Sequence, residues 1–597
     1  MIFIWSRTLS ALVAFTFMFL LPISGAKRAL ENLGRGVVAV RSSSEDVFIS
    51  WRLLALDDAD IGFNVYRASD GGNSQKINDD VLTGGTNFVD STADLAVSNI
   101  YHVRSVVDGK ESEESHPFTL VGDSAAEPLV RFPVKDTGPI RYLWVGDLDG
   151  DGEYDYVLDR TSTSQSIEAY HRNGTLLWTV GLGPNSENQN NISPGSTAIS
   201  VGHWDGVTVY DFDQDGKAEV VLRIANGVTF GDGETFENDN DDEQFMAILN
   251  GETGALRSSE RIPDDFIADG PMGARLGVGY LDGETPHLVA YMKNRREDKG
   301  FNLMYTAWTF DGEKIELAWK WLRPETGTLS DGHNTRIIDV DGDGKDEIHE
   351  IGFSLNGDGS LRYNLSAHGV VHGDRFHIAK MDPESEGLQG YGIQQDNPSL
   401  LMEYYYDADK GSLIWEHYGT EVGDVGRGMA GDIDPNYPGM EVWSFQGVYN
   451  AAENKLTSDE GAGPWPHLGL FWDGDILMEL FNNGKIEKWN PSTQGVDRLV
   501  TIGHYGGMPA NGVNPAFHGD ILGDWREEAI VVNENYTELL IFTTNIETDI
   551  RLYTLPHNPA YRNSMTLKGY VQSHHVDYFI GYDMETPQAP DITYVGV

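Results

Sequence analysis

The stretch DVDGDGKDEIHE, Asp339 to Glu350, decides how this chain is read. Acids at its first, third, fifth and ninth positions, a glycine at the sixth and the closing Glu350 satisfy the calcium-loop pattern of an EF-hand. An EF-hand needs flanking helices, yet the neighbours HNTRIIDV and IHEIGFSL are β-branched and glycine-containing. Two relatives, DLDGDGEYD at 147–155 and DFDQDGKAE at 211–219, repeat the acids and the glycine but carry Leu158 and Leu222 at the twelfth position. Glu350 therefore completes the EF-hand pattern by coincidence. The shared ninth-position acids are Asp155, Glu219 and Glu347, and the unit reads as strand, tight acidic loop, strand.

The three copies start at residues 147, 211 and 339, so the second gap is twice the first. Weaker relatives are DIDPNYPGME at 432–441 and KMDPESEG at 380–387. From about residue 130 onward helical periods are few, and strand-sized runs such as YVLDR, VVLRI, HLVAYM and LLIFTT recur between Gly and Asp. A propeller blade takes roughly 40 to 50 residues plus insertions, so seven or eight fit the remaining length. The loops are expected to bind calcium through Asp147, Asp149, Asp151 and Asp155, through Asp211, Asp213, Asp215 and Glu219, and through Asp339, Asp341, Asp343 and Glu347. The alternative is a set of solvated acidic turns.

Residues 1–26 read as a secretory signal: Arg7 precedes the apolar run ALVAFTFMFLLPI, and Ser24 and Ala26 are small residues ahead of Lys27. A secreted, extracellular protein is expected, and no later run is long enough to span a bilayer. With no cysteine the chain has no disulfide, no thiolate nucleophile and no cysteine metal site. A formal net charge of −51 argues against nucleic acid as a partner. Residues 27–125 alternate apolar and polar positions in DVFISWRL, GFNVYRA and IYHVRSVV, the pattern of a fibronectin-like β-sandwich. Residues 126–597 hold the repeated units.

Three clusters lie outside the loop pattern. DGHN (Asp331, His333, Asn334) and HGDRFH (His372, Asp374, His377) offer two histidines and a carboxylate for a metal, or ordinary turn and core chemistry. DVGRGMAGDID sets Arg427 between two glycines, open to a ligand or paired with Asp424. HGDILGDWREE, RLYTLPHNPAYR and GYVQSHH gather Arg526, Arg551, Arg562, Tyr561 and Tyr570, which suit a sugar carboxylate, although Arg526 could pair with Glu527 or Glu528.

From about residue 36 onward the chain resembles the rhamnogalacturonan lyases of polysaccharide lyase family 11. The resemblance is carried, in order, by GDLDGDGEYDYVL, VYDFDQDGKAEV, IIDVDGDGKDEI, HGDRFHIAKMDP, DVGRGMAGDIDP, DILGDWREE and RLYTLPHNPAYR. It implies an all-β protein with an eight-bladed, calcium-rich β-propeller as the catalytic domain behind a small β domain. It also implies cleavage of the rhamnose-(1→4)-galacturonate linkage of rhamnogalacturonan I by β-elimination, leaving a 4,5-unsaturated galacturonate. His333, His372 and Asp374 resemble the family's metal-associated cleft residues, with calcium as the cofactor there too. Arg427 matches its central arginine and Tyr570 a substrate-contacting tyrosine, the two expected catalytic residues. Asn511, Gly512, Asn226, Gln395, Arg526 and Arg562 are the expected substrate-binding set.

The chain also departs from the family. The loop NGVNPAFHGD keeps Asn511 and Gly512 but lacks the lysine that members often carry there. Gln395 stands where an acid is usual, and Arg223 and Asn226 replace a lysine and an aspartate. If the missing lysine served as base, Arg427, Tyr570, His518 or a nearby histidine takes its place, or the chain prefers another uronate linkage or is inactive. A monomer acting on a polyanionic cell-wall polysaccharide is expected, with no nucleic acid or membrane partner. The competing reading is a non-catalytic carbohydrate-binding or adhesive propeller. Endo or exo mode depends on loops such as GVYNAAENKLTSDEGAGPWPH. Sequons at Asn173, Asn191, Asn364 and Asn535 permit glycosylation in a eukaryotic host.

Overall fold

A computed structural model describes residues 27–161, 165–187, 206–269, 272–298, 300–324, 329–395, 397–419, 427–568 and 572–596. The signal segment, Asn191, Asp424 and Tyr570 lie outside the described residues. The chain is all-β, built from many small antiparallel sheets. Valine, isoleucine and aromatic residues fill both faces of the inner strands, as in Val207–Tyr210 and Arg336–Ile338, where every position is buried.

Two sheets form the N-terminal unit. Val38–Arg41, Val47–Ser50 and Asn87–Asp90 make one; Gly62–Ser69 and Asn99–Val107 form the centre of the other. Trp51, Phe63, Val65, Tyr101 and Val103 pack together as their core. Arg28–Leu30 joins neither sheet and pairs in parallel with Ile592–Tyr594 near the C terminus. Next to it, the Glu31 carboxylate takes two hydrogen bonds from the Arg562 guanidinium, at 2.5 and 2.6 Å.

Eight further sheets follow one another along the chain. Seven are four-stranded meanders, the first running Leu143–Gly146, Asp155–Arg160, Ser166–Tyr170 and Leu176–Gly181. In the last, Phe517–Gly519, Glu528–Asn533 and Glu538–Phe542 are completed by Leu129–Pro133, so the start of this region hydrogen-bonds its end. The first strands of the first four sheets adjoin in succession, as do those of the fifth, sixth and seventh.

The opening loop lies between the first two strands of its sheet, with Ile338 paired to Glu347 across the hairpin, so no EF-hand helices flank it. Each of the eight second strands begins with the residue that closes the loop: Asp155, Glu219, His287, Glu347, Gln389, Glu441, Glu479 or Glu528. Except in the third sheet, where His287 stands, that side chain turns back and accepts a hydrogen bond from a loop amide. The donors are Leu148, Phe212, Val340, Met381, Ile433, Trp472 and Ile521. Neutral Gln389 does this as well as the acids do, at 3.0 Å to both Met381 and Asp382. The first task of the position is thus to satisfy amides that the tight turn would leave unpaired. Glu350 faces away from the loop, accepting from Ser330 Oγ and the Gly332 amide.

A short helix, Pro559–Thr566, lies against the first strands of the first four sheets. Pro559 pre-sets its first turn, and the Asn558 side chain caps the Tyr561 amide at 3.2 Å. Beyond it, Gln572 accepts from the Phe376 amide and Ser573 from the Gly469 amide, reaching the first strands of the fifth and seventh sheets. The C-terminal segment therefore bridges inner strands from both halves of the repeat.

In the seventh sheet the loop carries its own cation. The Lys488 ammonium lies 2.5 Å from Asp473, 2.7 Å from Asp475 and 2.8 Å from the buried Glu479. Removing it leaves three carboxylates facing one another with one fully buried, and Lys488→Met is expected to lower stability by about 3 kcal/mol. Urea unfolding at fixed pH measures this, and added calcium should restore part of the loss by taking the ammonium's place.

Candidate active site

His333, His372 and Asp374 converge as the sequence suggested: one ligand atom from each lies within 4.8 Å of the others. His333 Nε2 is 3.7 Å from Asp374, and the two imidazoles meet edge to face at 5.0 Å. His372 Nδ1 lies 2.7 Å from the Asp331 carboxylate and is also in contact with the Asp331 carbonyl. With Nδ1–H donated to Asp331, Nε2 keeps its lone pair, the arrangement that orients a metal-ligating imidazole. Burial would raise the Asp331 carboxyl, but His372, Lys293 and Arg323 hold it well below the usual carboxylate range. Gln395 Nε2 donates to Asp374 at 3.0 Å, so the amide that replaced an acid positions a candidate ligand.

Lys293 lies beneath this group with no exposed surface. Its ammonium donates to the Gly332 carbonyl at 2.6 Å and sits 3.8 Å from the Phe301 ring centroid; burial pushes its pKa down to about 8. Arg323 reaches the other Asp331 oxygen at 2.7 Å.

Arg427 stands on a neighbouring part of the same surface. Its guanidinium is 3.2 Å from His467 Nδ1, and Arg375, the residue after Asp374, reaches the same nitrogen at 3.2 Å. His467 also lies beside the Val513 carbonyl, which brings the Asn511–Asn514 turn to Arg427. Burial and the two guanidinium charges hold the His467 imidazole neutral. Asn511 donates to the Tyr142 hydroxyl at 2.7 Å, and Gly512 adopts a positive φ of 64° that glycine tolerates without strain. Trp465 is 54% exposed, packs edge to face on the exposed Phe445 ring, and has the Arg427 guanidinium 5.8 Å above it.

Other expected residues fall elsewhere. Arg526 is buried against Asp524, at 2.7 and 2.9 Å, and donates to the carbonyls of Asp473 and Ile546. Arg562 is buried on Glu31 between the Tyr154 and Tyr210 rings. Both were expected to bind substrate; each is buried and paired with a buried carboxylate, and they are corrected to structural ties. Arg551 likewise joins the last segment to the N-terminal unit through the Ile61 and Gly84 carbonyls. Asn226 bonds Asp241 and accepts from the Asn238 amide, a local loop arrangement.

The loop carboxylates form three tight groups: Asp147, Asp149 and Asp151; Asp211, Asp213 and Glu219; Asp339, Asp341 and Glu347. Asp155 groups instead with Asp149 and His171. Asp215 and Asp343 cap the amides of Lys217 and Lys345. Burial pushes Asp147 and Asp211 up to about 7, and Glu219 and Glu347 up to about 8. Arg257 spans Asp213 and Glu219, and Arg362 spans Asp341 and Glu347. The sixth sheet has no such arginine in its loop; Asp432 Oδ1 and Glu441 Oε1 are buried there without a hydrogen-bond partner.

Sequence reasoning missed His467, Arg375, Trp465 and Lys293. The segment ending in PWPH carries a tryptophan and a histidine two residues apart, which was the available signal. Lys293 lies in the strand run His287–Arg295, where nothing local distinguishes it.

Residues 141–590 match the family described as rhamnogalacturonan lyase family 11, C-terminal domain, and residues 28–121 match the rhamnogalacturonan I lyases beta-sheet domain. The chain is 32% identical to rhamnogalacturonan endolyase YesW of Bacillus subtilis, covering 95% of this chain and 94% of that one. It is 31% identical to the rhamnogalacturonan exolyase YesX of the same organism, covering 96% and 98%. The YesW crystal structure superposes with a TM-score of 0.83 over 95% of this chain and all of that one. A Bacillus licheniformis rhamnogalacturonan lyase PL11 superposes with a TM-score of 0.84 at 30% identity, again over 95% of this chain and all of that one. With matches to both of its parts and relatives aligned over nearly their whole length, the chain belongs to rhamnogalacturonan lyase family 11 and is a polysaccharide lyase.

Proposed function

We propose that this chain is a secreted, metal-dependent lyase that cleaves the rhamnose-(1→4)-galacturonate linkage of rhamnogalacturonan I by β-elimination. In this reading the eight successive sheets are the blades of one propeller, closed by Leu129–Pro133, and the C-terminal segment lies at its axis. The observation that carries it is the pairing of a two-histidine, one-carboxylate group with a neighbouring arginine pair, Arg427 and Arg375, on His467.

Removing the C5 proton of galacturonate puts further negative charge on a sugar that already bears a carboxylate, so that charge must be neutralised first. A protein of net charge −51 would otherwise repel the substrate. Arg427 is the accessible cation positioned for the uronate carboxylate, with His467 fixing its approach. The exposed Trp465 and Phe445 rings offer an apolar face to the adjoining sugar. Asn511 and Gly512 line the same wall.

The loop groups are all-oxygen, which suits calcium, and the two orphaned oxygens of Asp432 and Glu441 are the kind a cation satisfies. The group of His333, His372 and Asp374 mixes imidazole nitrogen with carboxylate oxygen, a set that softer divalent metals also favour. A divalent cation held there would polarise the uronate carboxylate and make the C5 proton more acidic.

Purified protein incubated with rhamnogalacturonan I should generate the ultraviolet absorbance of an unsaturated uronate. No increase, with calcium or without, would sink the lyase reading in favour of a binding propeller. Chelation should lower both activity and melting temperature, and refilling with calcium, manganese or zinc identifies the cleft metal. Arg427→Ala is expected to cut kcat/KM by about a hundredfold or more with an unchanged melting temperature, since the side chain is only half-buried. For Trp465→Ala, steady-state kinetics should show KM raised roughly fivefold to tenfold and kcat nearly constant.

A further inference from the structure

The lyase reading needs a group that accepts a proton, and most basic side chains on this wall are committed. Arg427 is always protonated. His467 Nδ1 faces two guanidinium groups. Lys293 is sealed from solvent on the Gly332 carbonyl. His518 is buried and stacked at 4.2 Å on His574. Lys568 differs. It follows the axial helix, retains some accessible surface, and lays its ammonium 4.2 Å from the Phe517 ring centroid, three residues beyond the Asn511–Asn514 turn. Among the described residues it donates one hydrogen bond, to the Met565 carbonyl at 3.0 Å. No carboxylate among the described residues faces it.

The geometry points to Lys568 as the base that removes the C5 proton of the uronate, an assignment that rests on the lyase reading above. Lys568 stands over Phe517, the residue before His518; His518 and His467 interact electrostatically, and His467 holds Arg427, so amine and guanidinium face the same pair of histidines. Arginine would pair the uronate carboxylate while the neutral amine takes the proton from C5. The C5–H electron pair then forms the C4–C5 double bond, the C4–oxygen bond breaks, and the departing rhamnosyl oxygen takes a proton from water. An unpaired lysine in this position has no evident structural use, because burying an ammonium without a carboxylate costs stability.

Among the described residues the charged and titratable groups that interact with the amine are Arg562, His518 and His574, all cationic or neutral. Burial, with Arg562 adding to it, pushes Lys568 down to about 7. The accepting form is the neutral amine, so kcat/KM should rise with pH up to about 7 and level above it.

The test compares wild type with Lys568→Met, Lys568→Arg and Lys568→Ala on rhamnogalacturonan I, reading unsaturated uronate, pH profile and melting temperature. Met and Arg variants are expected to lose about a hundredfold or more, with the Met variant melting no lower than wild type. Ethylamine should restore part of the Lys568→Ala activity. An active wild type with a Met variant within threefold of it, or one that keeps the rise near pH 7, overturns the assignment to Lys568 alone. Should the Met variant fail to fold, absence of amine rescue in Lys568→Ala overturns it instead. A wild type that makes no unsaturated product refutes the lyase reading itself.

Discussion

In seven of the eight sheets one hydrogen bond recurs at the same place: a side chain at the start of the second strand turns back to accept a loop amide. A tight acidic turn between short strands exposes several amides to an interior that offers no water, and each left unpaired would cost as much as a lost hydrogen bond. The acceptor removes that cost and fixes where the second strand begins. Strand register follows from it, and with register the alternation that sends valines and aromatics into the spaces between sheets. The third sheet, where histidine stands in this position, is closed by Asp282 bonding its own turn.

Burying so many carboxylates creates the second constraint. Burial raises their pKa, and a raised carboxyl must be protonated or countered by a cation. The loops use different counter-charges: a lysine in the seventh sheet, an arginine in the second and fourth, and in the sixth two oxygens left open. These are solutions to one electrostatic problem, with divalent cations as the further one proposed here. The active-site wall inverts the pattern. At this proposed site the cations outnumber the acids, with Arg427 and Arg375 on a neutral histidine, in a protein that is otherwise strongly acidic.

Much of this was legible in the chain. The acidic repeat marked three hairpins because its aspartates sit at fixed spacing, and the family resemblance, where the spacing of DGHN and HGDRFH fitted turn and core chemistry as well, put His333, His372 and Asp374 forward as one group. Two more hairpins showed only as the weaker relatives KMDPESEG and DIDPNYPGME and three escaped notice, because amide acceptance demands only one oxygen, which Gln389 supplies without any acid. Arg526 and Arg562 were misread for a related reason. Arginine in an aromatic-rich segment looks alike whether its guanidinium meets a sugar carboxylate or a buried Glu31 contributed by residues more than five hundred positions away.

The sequence by itself determined the class of structure, the hairpin loops and the family, since these depend on local spacing, turn chemistry and ordered motifs. Only the tertiary structure decided which polar groups share a site. Arg375 from a strand of the fifth sheet meets Arg427 and His467 from the segments leading into the sixth and seventh, and Lys568 approaches Phe517 because the C-terminal helix lies across the inner strands. Such contacts join residues whose separation along the chain carries no periodic signal. The energy that selects them comes from packing and charge compensation in the assembled interior.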